Sequence, residues 1–192
     1  HRRIHSDQFK HAQVNAVVYG NFTDSDADRI KAKTMVEKLI SFVLFQIAWF
    51  AAVIGGAHDL DFAASSPALA LFAFHILNNH HRWFEATAGI TSIFIMGIVI
   101  EIILLKSGVI SYRGITASNS FPPLWILALW LAFATLPDGA LSWLEGRTML
   151  QILFGAVGGP LSYLAGEKLG AAMLHGNFVY AMTVLAFAWA VA

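Results

Sequence analysis

The chain has 192 residues, of which 57% are hydrophobic and 12% are charged, and its formal net charge is zero. Charged residues are at about half their usual share in soluble domains, and the balanced charge gives no indication that the protein binds nucleic acid. The chain contains no cysteine, which excludes disulfides, thiolate catalysis and cysteine-ligated metals. Several apolar runs approach the ~20 residues that cross a hydrocarbon core. The composition therefore predicts an all-α, polytopic membrane protein with about six transmembrane helices.

The first part of the chain differs in composition from the rest. Residues 1–34 are mostly polar, and Met35 stands directly before the first apolar run. This shift predicts an N-terminal tail over residues 1–34, disordered or not native to the protein, and a transmembrane helical bundle over residues 35–192. Because Ala192 lies within an apolar run, we expect the native bundle to extend further.

The first half of the bundle is predicted to contain three spans. The first covers about residues 39–57 and ends at two glycines. The second is predicted to begin at Ser66 and Pro67, because serine is a favoured N-cap and proline fits the first helical position. The third covers about residues 87–105.

An acidic residue, Glu101, lies within the third span. Such a residue at the centre of a transmembrane helix costs about 2.5–3.5 kcal/mol to insert, so acids in membranes turn inward and pair. We expect its carboxyl to face the bundle interior and to bind a polar group of Gln46, Tyr163 or His75. His75 is the least favoured partner, because its depth differs by roughly 13 Å. The functional interpretation is proton exchange or head-group binding, and the structural alternatives are a hydrogen bond or a pair with Lys106.

The second half of the bundle is predicted to contain three further spans. The fourth covers about residues 124–136 and is interrupted at Pro137. The fifth covers about residues 149–164, and the sixth begins near Asn177. Basic residues near the span ends divide equally between the two sides, and the basic residues of the tail favour a cytoplasmic N-terminus.

The fifth span has the most unusual pattern in the chain, a proline inside an apolar run with glycines on both sides. Pro160 has no N–H group and leaves the carbonyl of Ala156 without its helical partner. This predicts a kinked or broken fifth helix. Gln46, Ser162 and Tyr163 are expected to form hydrogen bonds between helices, with the freed carbonyl as an alternative partner for Ser162 and Tyr163. Small residues four positions apart let helices pack closely. The residues predicted to form the break and its packing surfaces are Gly155, Gly158, Gly159, Pro160, Gly166 and Gly170.

Histidines are the only residues in the chain that suggest a metal site. His75, His80 and His81 form one incomplete box of the kind that holds iron in membrane desaturases, and no second box follows. The sequence also has no nucleophile elbow, phosphate-binding glycine loop or HExxH motif. We therefore predict no metal and no cofactor, and we favour a protein that is not an enzyme.

Three apolar motifs resemble a known family. They are Phe45–Phe50 in the first span, Pro123–Thr135 in the fourth and Gly158–Gly166 in the fifth. They make the chain similar, from about Met35 to its end, to an uncharacterised bacterial membrane family, the domain of unknown function 2878. The sequence departs from the family pattern at Leu136–Asp138.

The resemblance implies a multi-pass protein of the bacterial inner membrane with a non-catalytic, accessory role in membrane lipid modification or envelope stress. We expect it to contact membrane lipids, and either a second copy of itself or another membrane protein. Two alternatives stay open. A small proton-coupled transporter would build its site from a broken helix and an intramembrane acid, whereas an intramembrane lipid-modifying enzyme would use His75 and Glu101.

Overall fold

The computed structural model describes the backbone of residues 24–78 and 83–191, with side chains over residues 34–77 and 87–191. Residues 1–23 of the predicted tail lie outside the described residues, as do His80 and His81. In chain order the elements are α1 (Asp24–Ala57), α2 (Asp61–Asn78), α3 (Trp83–Lys106), β1 (Ile110–Tyr112), α4 (Leu124–Phe133), a 3-10 turn (Ser142–Leu144), α5 (Thr148–Lys168), β2 (Ala172–Leu174) and α6 (Phe178–Val191). The chain divides into two compact units, residues 1–37 and 38–192. The first contains the beginning of α1, and all other elements belong to the second.

Three of the six described helices are long and apolar enough to cross a membrane. They are the Thr34–Ala57 part of α1, the Thr87–Lys106 part of α3, and α5. The remaining helices, α2, α4 and α6, are apolar but shorter. The structure therefore confirms a mainly helical protein with membrane-type helices, and three of the six predicted spans reach full length.

Two connections between helices pair with one another in a small antiparallel sheet. Strand β1 follows α3 and strand β2 follows α5, with Ile110 opposite Leu174 and Tyr112 opposite Ala172. The prediction of an all-α chain was wrong in this respect, because strands of three residues carry too little periodic pattern to be recognised. We call residues 107–123 and 169–177, which contain the two strands, the cap.

The cap shows that consecutive helices of the second unit run in alternating directions. It joins the C-terminal ends of α3 and α5 to the N-terminal ends of α4 and α6. The N–H of Thr116 in the cap donates to the carboxylate of Asp61 at 2.9 Å, which brings the start of α2 to the same end. This arrangement fits a bundle of antiparallel neighbours joined by short connections.

Helix α2 begins earlier than the sequence predicts. Asp61 is its first residue, and Ser66 and Pro67 lie inside the helix rather than at its start. Pro67 has no N–H for the carbonyl of Ala63, four residues before it. The hydroxyl of Ser66 donates to that carbonyl at 2.7 Å, so the helix accepts the proline without leaving the carbonyl unpaired.

Helix α5 continues through Pro160, so of the two predicted forms, a kinked or a broken helix, the broken one does not occur. One proline removes one hydrogen bond of the ladder, while the bonds on either side keep the backbone helical. The hydroxyl of Ser162 donates to the carbonyl of Gly159 in its own helix at 2.7 Å, and not to that of Ala156, which was the alternative partner. Tyr163 is also directed elsewhere, since its hydroxyl binds Glu101.

Two glycines of α5 face Trp189 of α6. A Cβ atom on Gly155 would overlap the carbonyl oxygen of Trp189, and one on Gly159 would overlap its indole ring. Gly158, by contrast, has no atom of a neighbouring element within 4 Å of such a Cβ. The close approach of α5 and α6 therefore depends on the pair Gly155 and Gly159.

The second predicted pair, Gly166 and Gly170, does not lie on one helix, since α5 ends at Lys168. Gly170 lies beyond the end of α5 and has a φ of 81°, a left-handed conformation that glycine adopts readily. Its N–H donates to Glu167, and the N–H of Ala171 donates to Gly166, both at 3.0 Å. These two bonds form a Schellman motif, so Gly170 ends the helix and turns the chain into β2.

Candidate functional site

Glu101 of α3 is buried, with 1% of its surface exposed. It lies five residues before the end of the helix, in the part of the apolar span that is nearest to the cap. Among the described residues, its hydrogen-bond partners are three neutral side chains. Lys106, the predicted basic partner, is exposed at the helix end and is not among them.

Three elements each supply one donor to this carboxyl. The hydroxyl of Tyr112, in β1, donates to Oε2. The indole Nε1 of Trp130, in α4, donates to Oε1 at 2.9 Å, and the hydroxyl of Tyr163, in α5, donates to the same oxygen at 2.6 Å. Tyr163 is one of the partners that the sequence suggested. Glu101 therefore links α3 to the cap and to two other helices.

The sheet and Trp125 position Tyr112. Pairing of Tyr112 with Ala172 fixes its backbone, and its ring packs edge-on against Trp125, with centroids 5.6 Å apart. Trp125 is itself held by a hydrogen bond of 2.9 Å from its Nε1 to the carbonyl of Arg113. Burial, followed by the charge of Glu101, holds the pKa of the Tyr112 hydroxyl well above its usual range, so the hydroxyl stays able to donate at neutral pH.

A glycine on the same face of α3 admits Trp130. Gly97 lies one helical turn before Glu101, and a Cβ atom there would overlap the Trp130 ring. Trp130 stacks on Trp189 with ring centroids 5.0 Å apart and planes 19° from parallel. Trp189 in turn packs edge-on against Tyr163 at 6.3 Å. Aromatic rings therefore enclose the carboxyl and exclude bulk solvent from it.

The same side chains can satisfy Glu101 in both protonation states. An ionised carboxyl only accepts hydrogen bonds, and the three donors cover both of its oxygens. A hydroxyl can accept a hydrogen bond as well as donate one. A protonated Oε2 can therefore donate to the Tyr112 hydroxyl, while the Tyr163 hydroxyl still donates to Oε1. Trp130, which can only donate, keeps its bond to Oε1 throughout.

The other polar residues predicted to meet Glu101 lie elsewhere. Gln46 is half-buried in α1 and is not among the described partners of Glu101. The Nε2 atom of His75 is 3.4 Å from a carboxylate oxygen of Asp138, in the connection after α4, at the end of the bundle away from the cap. Across residues 34–77 and 87–191, no three potential ligands from histidine, aspartate and glutamate come close enough to share a metal ion.

A second buried carboxylate was missed by the sequence analysis. Asp61 has 0% exposure, and its Oδ2 accepts both the N–H and the hydroxyl of Thr116. Its Oδ1 is buried and has no hydrogen-bond partner among the described residues. The sequence offered one signal, since an aspartate directly before an apolar run is typical of a helix start. It gave no indication of burial, which depends on the cap.

The sequence profile of a protein family of unknown function, DUF2878, matches residues 38–192. The chain belongs to the DUF2878 family. The predicted resemblance is therefore confirmed, and it covers the whole second unit, including Glu101, its three donors and Asp61. No curated protein and no solved structure shows significant similarity to this DUF2878 chain.

Proposed function

We propose that this DUF2878 protein crosses the bacterial inner membrane six times and works as a small proton-coupled transporter, with Glu101 as the proton-binding residue. The observation that carries the proposal is the buried carboxyl of Glu101 with the hydroxyl of Tyr112 on one oxygen and that of Tyr163 on the other. Because a hydroxyl can donate or accept, this arrangement can satisfy the carboxyl with and without a proton. Buried acids in membrane helices are a common basis of proton relays.

The alternating helix directions support six crossings. At 1.5 Å per residue, the 18 residues of α2 extend about 27 Å, close to a hydrocarbon core of ~30 Å. Helix α4 has 10 residues and extends only about 15 Å. Most of its residues are buried, so neighbouring helices can shield the turns that follow it from lipid. With a cytoplasmic N-terminus, the cap faces the periplasm.

Proton binding can be coupled to movement through the cap. Tyr112 belongs to the cap, whereas Glu101 and Tyr163 belong to helices that reach the other end of the bundle. In the ionised state Tyr112 donates to Glu101, and in the protonated state it accepts from it. The hydrogen bond that joins the cap to Glu101 therefore changes with the charge of the carboxyl. Such a change can shift the protein between the two conformations that alternating access requires.

Transport can be tested in proteoliposomes that contain a pH-sensitive dye. Under an imposed pH gradient, a panel of small polar metabolites is added outside, and solute-dependent changes of internal pH are recorded. We expect at least one solute to give a response several-fold above that of protein-free liposomes. Glu101→Gln should abolish it, and Glu145→Gln, which neutralises an exposed acid, should retain it.

Proton binding can be measured without knowing the solute. Infrared difference spectra of the wild-type protein after a pH step should contain a carboxyl C=O band that is missing in Glu101→Gln. A wild-type spectrum identical to that of the folded Gln variant would refute the proton site. An accessory role in lipid modification stays a prediction of the family resemblance, and no described contact favours either that role or an enzyme.

The absence of cysteine makes the topology straightforward to test. Single cysteines introduced by Ser120→Cys in the cap and by Glu145→Cys near the other end are the only thiols of their variants. Both positions are exposed. A membrane-impermeant thiol reagent should label the first in intact spheroplasts and the second only after permeabilisation. Equal labelling of both positions in intact spheroplasts would contradict the proposed crossing.

A further inference from the structure

The second buried carboxylate, Asp61, is paired on one side only. Its Oδ2 accepts two hydrogen bonds from Thr116, through the backbone N–H at 2.9 Å and through the hydroxyl. Its Oδ1 is buried and accepts none from the described residues. A buried ionised oxygen without a partner is unfavourable, so this site needs a positively charged or donating group that the described side chains do not provide.

Glu101 is a buried carboxylate in the same protein whose two oxygens both accept hydrogen bonds. Its three donors are divided between both oxygens, although it is as buried as Asp61. The N-terminus of α2 favours a negative charge at Asp61, but this effect is weak compared with the desolvation of a buried ion. The difference between the two sites therefore points to a missing partner at Asp61.

We infer that Asp61, together with Thr116 and Gly114, binds a small monovalent cation, an alkali-metal or ammonium ion. The ligands are oxygens, which hard cations prefer. The site carries one formal negative charge, so a monovalent ion neutralises it, whereas a divalent ion would leave a buried positive charge.

The backbone of the cap limits the size of the ligand. Gly114 has a φ of 127° and packs against the carboxylate so closely that a Cβ atom there would overlap Oδ1. The hydroxyl of Thr116 is held in turn by the N–H of Leu124 at 2.9 Å. Since the cap is built this tightly around the carboxylate, we expect a ligand of the size of a single ion and not a large organic cation.

The inference is independent of the role proposed for Glu101. It rests on the hydrogen bonds of Asp61 alone, and a protein that moves no protons could still bind a cation here. Conversely, loss of cation binding would leave the infrared test of Glu101 unaffected.

Thermal unfolding of the purified wild-type protein in detergent provides the first test. Lithium, sodium, potassium or ammonium chloride replaces N-methylglucamine chloride at constant ionic strength, and the unfolding temperature is followed by tryptophan fluorescence. A ligand that binds only the folded state raises this temperature in a saturable way. We expect at least one of the four ions to raise it by several degrees, and N-methylglucamine to have no such effect.

Two matched variants locate the effect. Asp61→Asn should lose the cation-dependent shift. Asp59→Asn should keep it, because Asp59 is exposed in the same connection and its φ of 59° is one that asparagine tolerates. An equal shift in folded Asp61→Asn would show a general salt effect and overturn the inference.

A direct binding measurement on the wild-type protein decides the matter if Asp61→Asn fails to fold. Equilibrium dialysis against radioactive sodium and rubidium should show saturation at one ion per chain for the ion that stabilises the protein. Unlabelled lithium, potassium and ammonium then serve as competitors. No saturable binding, together with no cation-dependent shift, would overturn the inference.

Discussion

The hydroxyl of Tyr163 donates to Oε1 of Glu101 at 2.6 Å, and each residue lies five positions before the C-terminal end of its helix. Helices α3 and α5 therefore run in the same direction at matched depth. Their last residues, Lys106 and Lys168, consequently end at the same level beside the cap. This matched depth places a buried carboxyl and a hydroxyl from two separate spans within hydrogen-bonding distance.

The first prediction concerns the size and polarity of residue 101. Glu101→Gln should fold with nearly wild-type stability, because the amide oxygen can accept from Trp130 and Tyr163 while the amide nitrogen donates to the Tyr112 hydroxyl. Glu101→Leu leaves three buried donors unpaired at about 1–3 kcal/mol each. We expect a loss of about 3 kcal/mol or more, measured by denaturant unfolding in mixed micelles.

The comparison between these variants separates two roles of Glu101. If the carboxyl only holds the helices together, the Gln variant should be as active as the wild type. A stable Gln variant without proton coupling would instead support proton exchange. Equal stability of the Leu variant and the wild type would contradict the importance of the three hydrogen bonds.

The second prediction ranks the two tyrosines. Tyr112→Phe removes the only described donor to Oε2 and leaves a buried carboxyl oxygen unpaired, which costs about 1–3 kcal/mol. Tyr163→Phe should cost less, about 0.5–1.5 kcal/mol, because Trp130 still donates to Oε1. Thermal unfolding of both variants beside the wild type tests the order, and a larger loss for Tyr163→Phe would contradict the assignment of donors to oxygens.

Much of the architecture was predictable because it follows from the chemistry of single residues. Apolar runs indicated membrane helices, and the insertion cost of a carboxyl indicated that Glu101 faces inward. Its partner Tyr163 could be suggested because it lies in a neighbouring apolar span. The helix start predicted at Pro67 and the break predicted at Pro160 do not occur, for local reasons. The hydroxyl of Ser66 compensates for Pro67, and the helix around Pro160 continues through its remaining hydrogen bonds.

The rest of the site depends on contacts that the sequence does not reveal. Tyr112 reaches Glu101 because β1 pairs with a strand about sixty residues later in the chain, and no local pattern indicates that pairing. Asp61 stands in what looks like an exposed polar turn, and Thr116 covers it only when the cap folds back. Tyr112 and Thr116, the donors to these two carboxylates, both lie between α3 and α4, in a segment that the composition alone predicts to be irregular.

The third prediction tests how Trp130 reaches Glu101. Gly97→Ala places a Cβ atom inside the position of the Trp130 ring, so the indole must move and its bond to Oε1 is weakened. Overpacking of this kind costs about 1–3 kcal/mol. Gly89→Ala is the control, because no atom of a neighbouring element lies within 4 Å of a Cβ there. The control should be neutral or slightly stabilising, since alanine favours helix over glycine by about 0.5–1 kcal/mol.

The difference between these two variants can be read from tryptophan fluorescence and from thermal unfolding. Gly97→Ala should alter the emission of the stacked pair Trp130 and Trp189 and lower the unfolding temperature. An unfolding temperature for Gly97→Ala equal to that of Gly89→Ala would show that Trp130 does not pack against α3 as described.

The last prediction concerns the contact between α5 and α6. Gly159→Leu should destabilise the protein strongly, because even a Cβ atom at this position overlaps the ring of Trp189 and that ring supports both Trp130 and Tyr163. Gly158→Leu, one residue away, meets no neighbouring atom at its Cβ and should be tolerated. Since the two substitutions add the same side chain to the same helix, helix propensity and membrane insertion are matched. Size-exclusion chromatography in detergent should show a loss of folded protein for Gly159→Leu and not for Gly158→Leu. Equal losses for the two variants would mean that Trp189 does not pack on this face of α5.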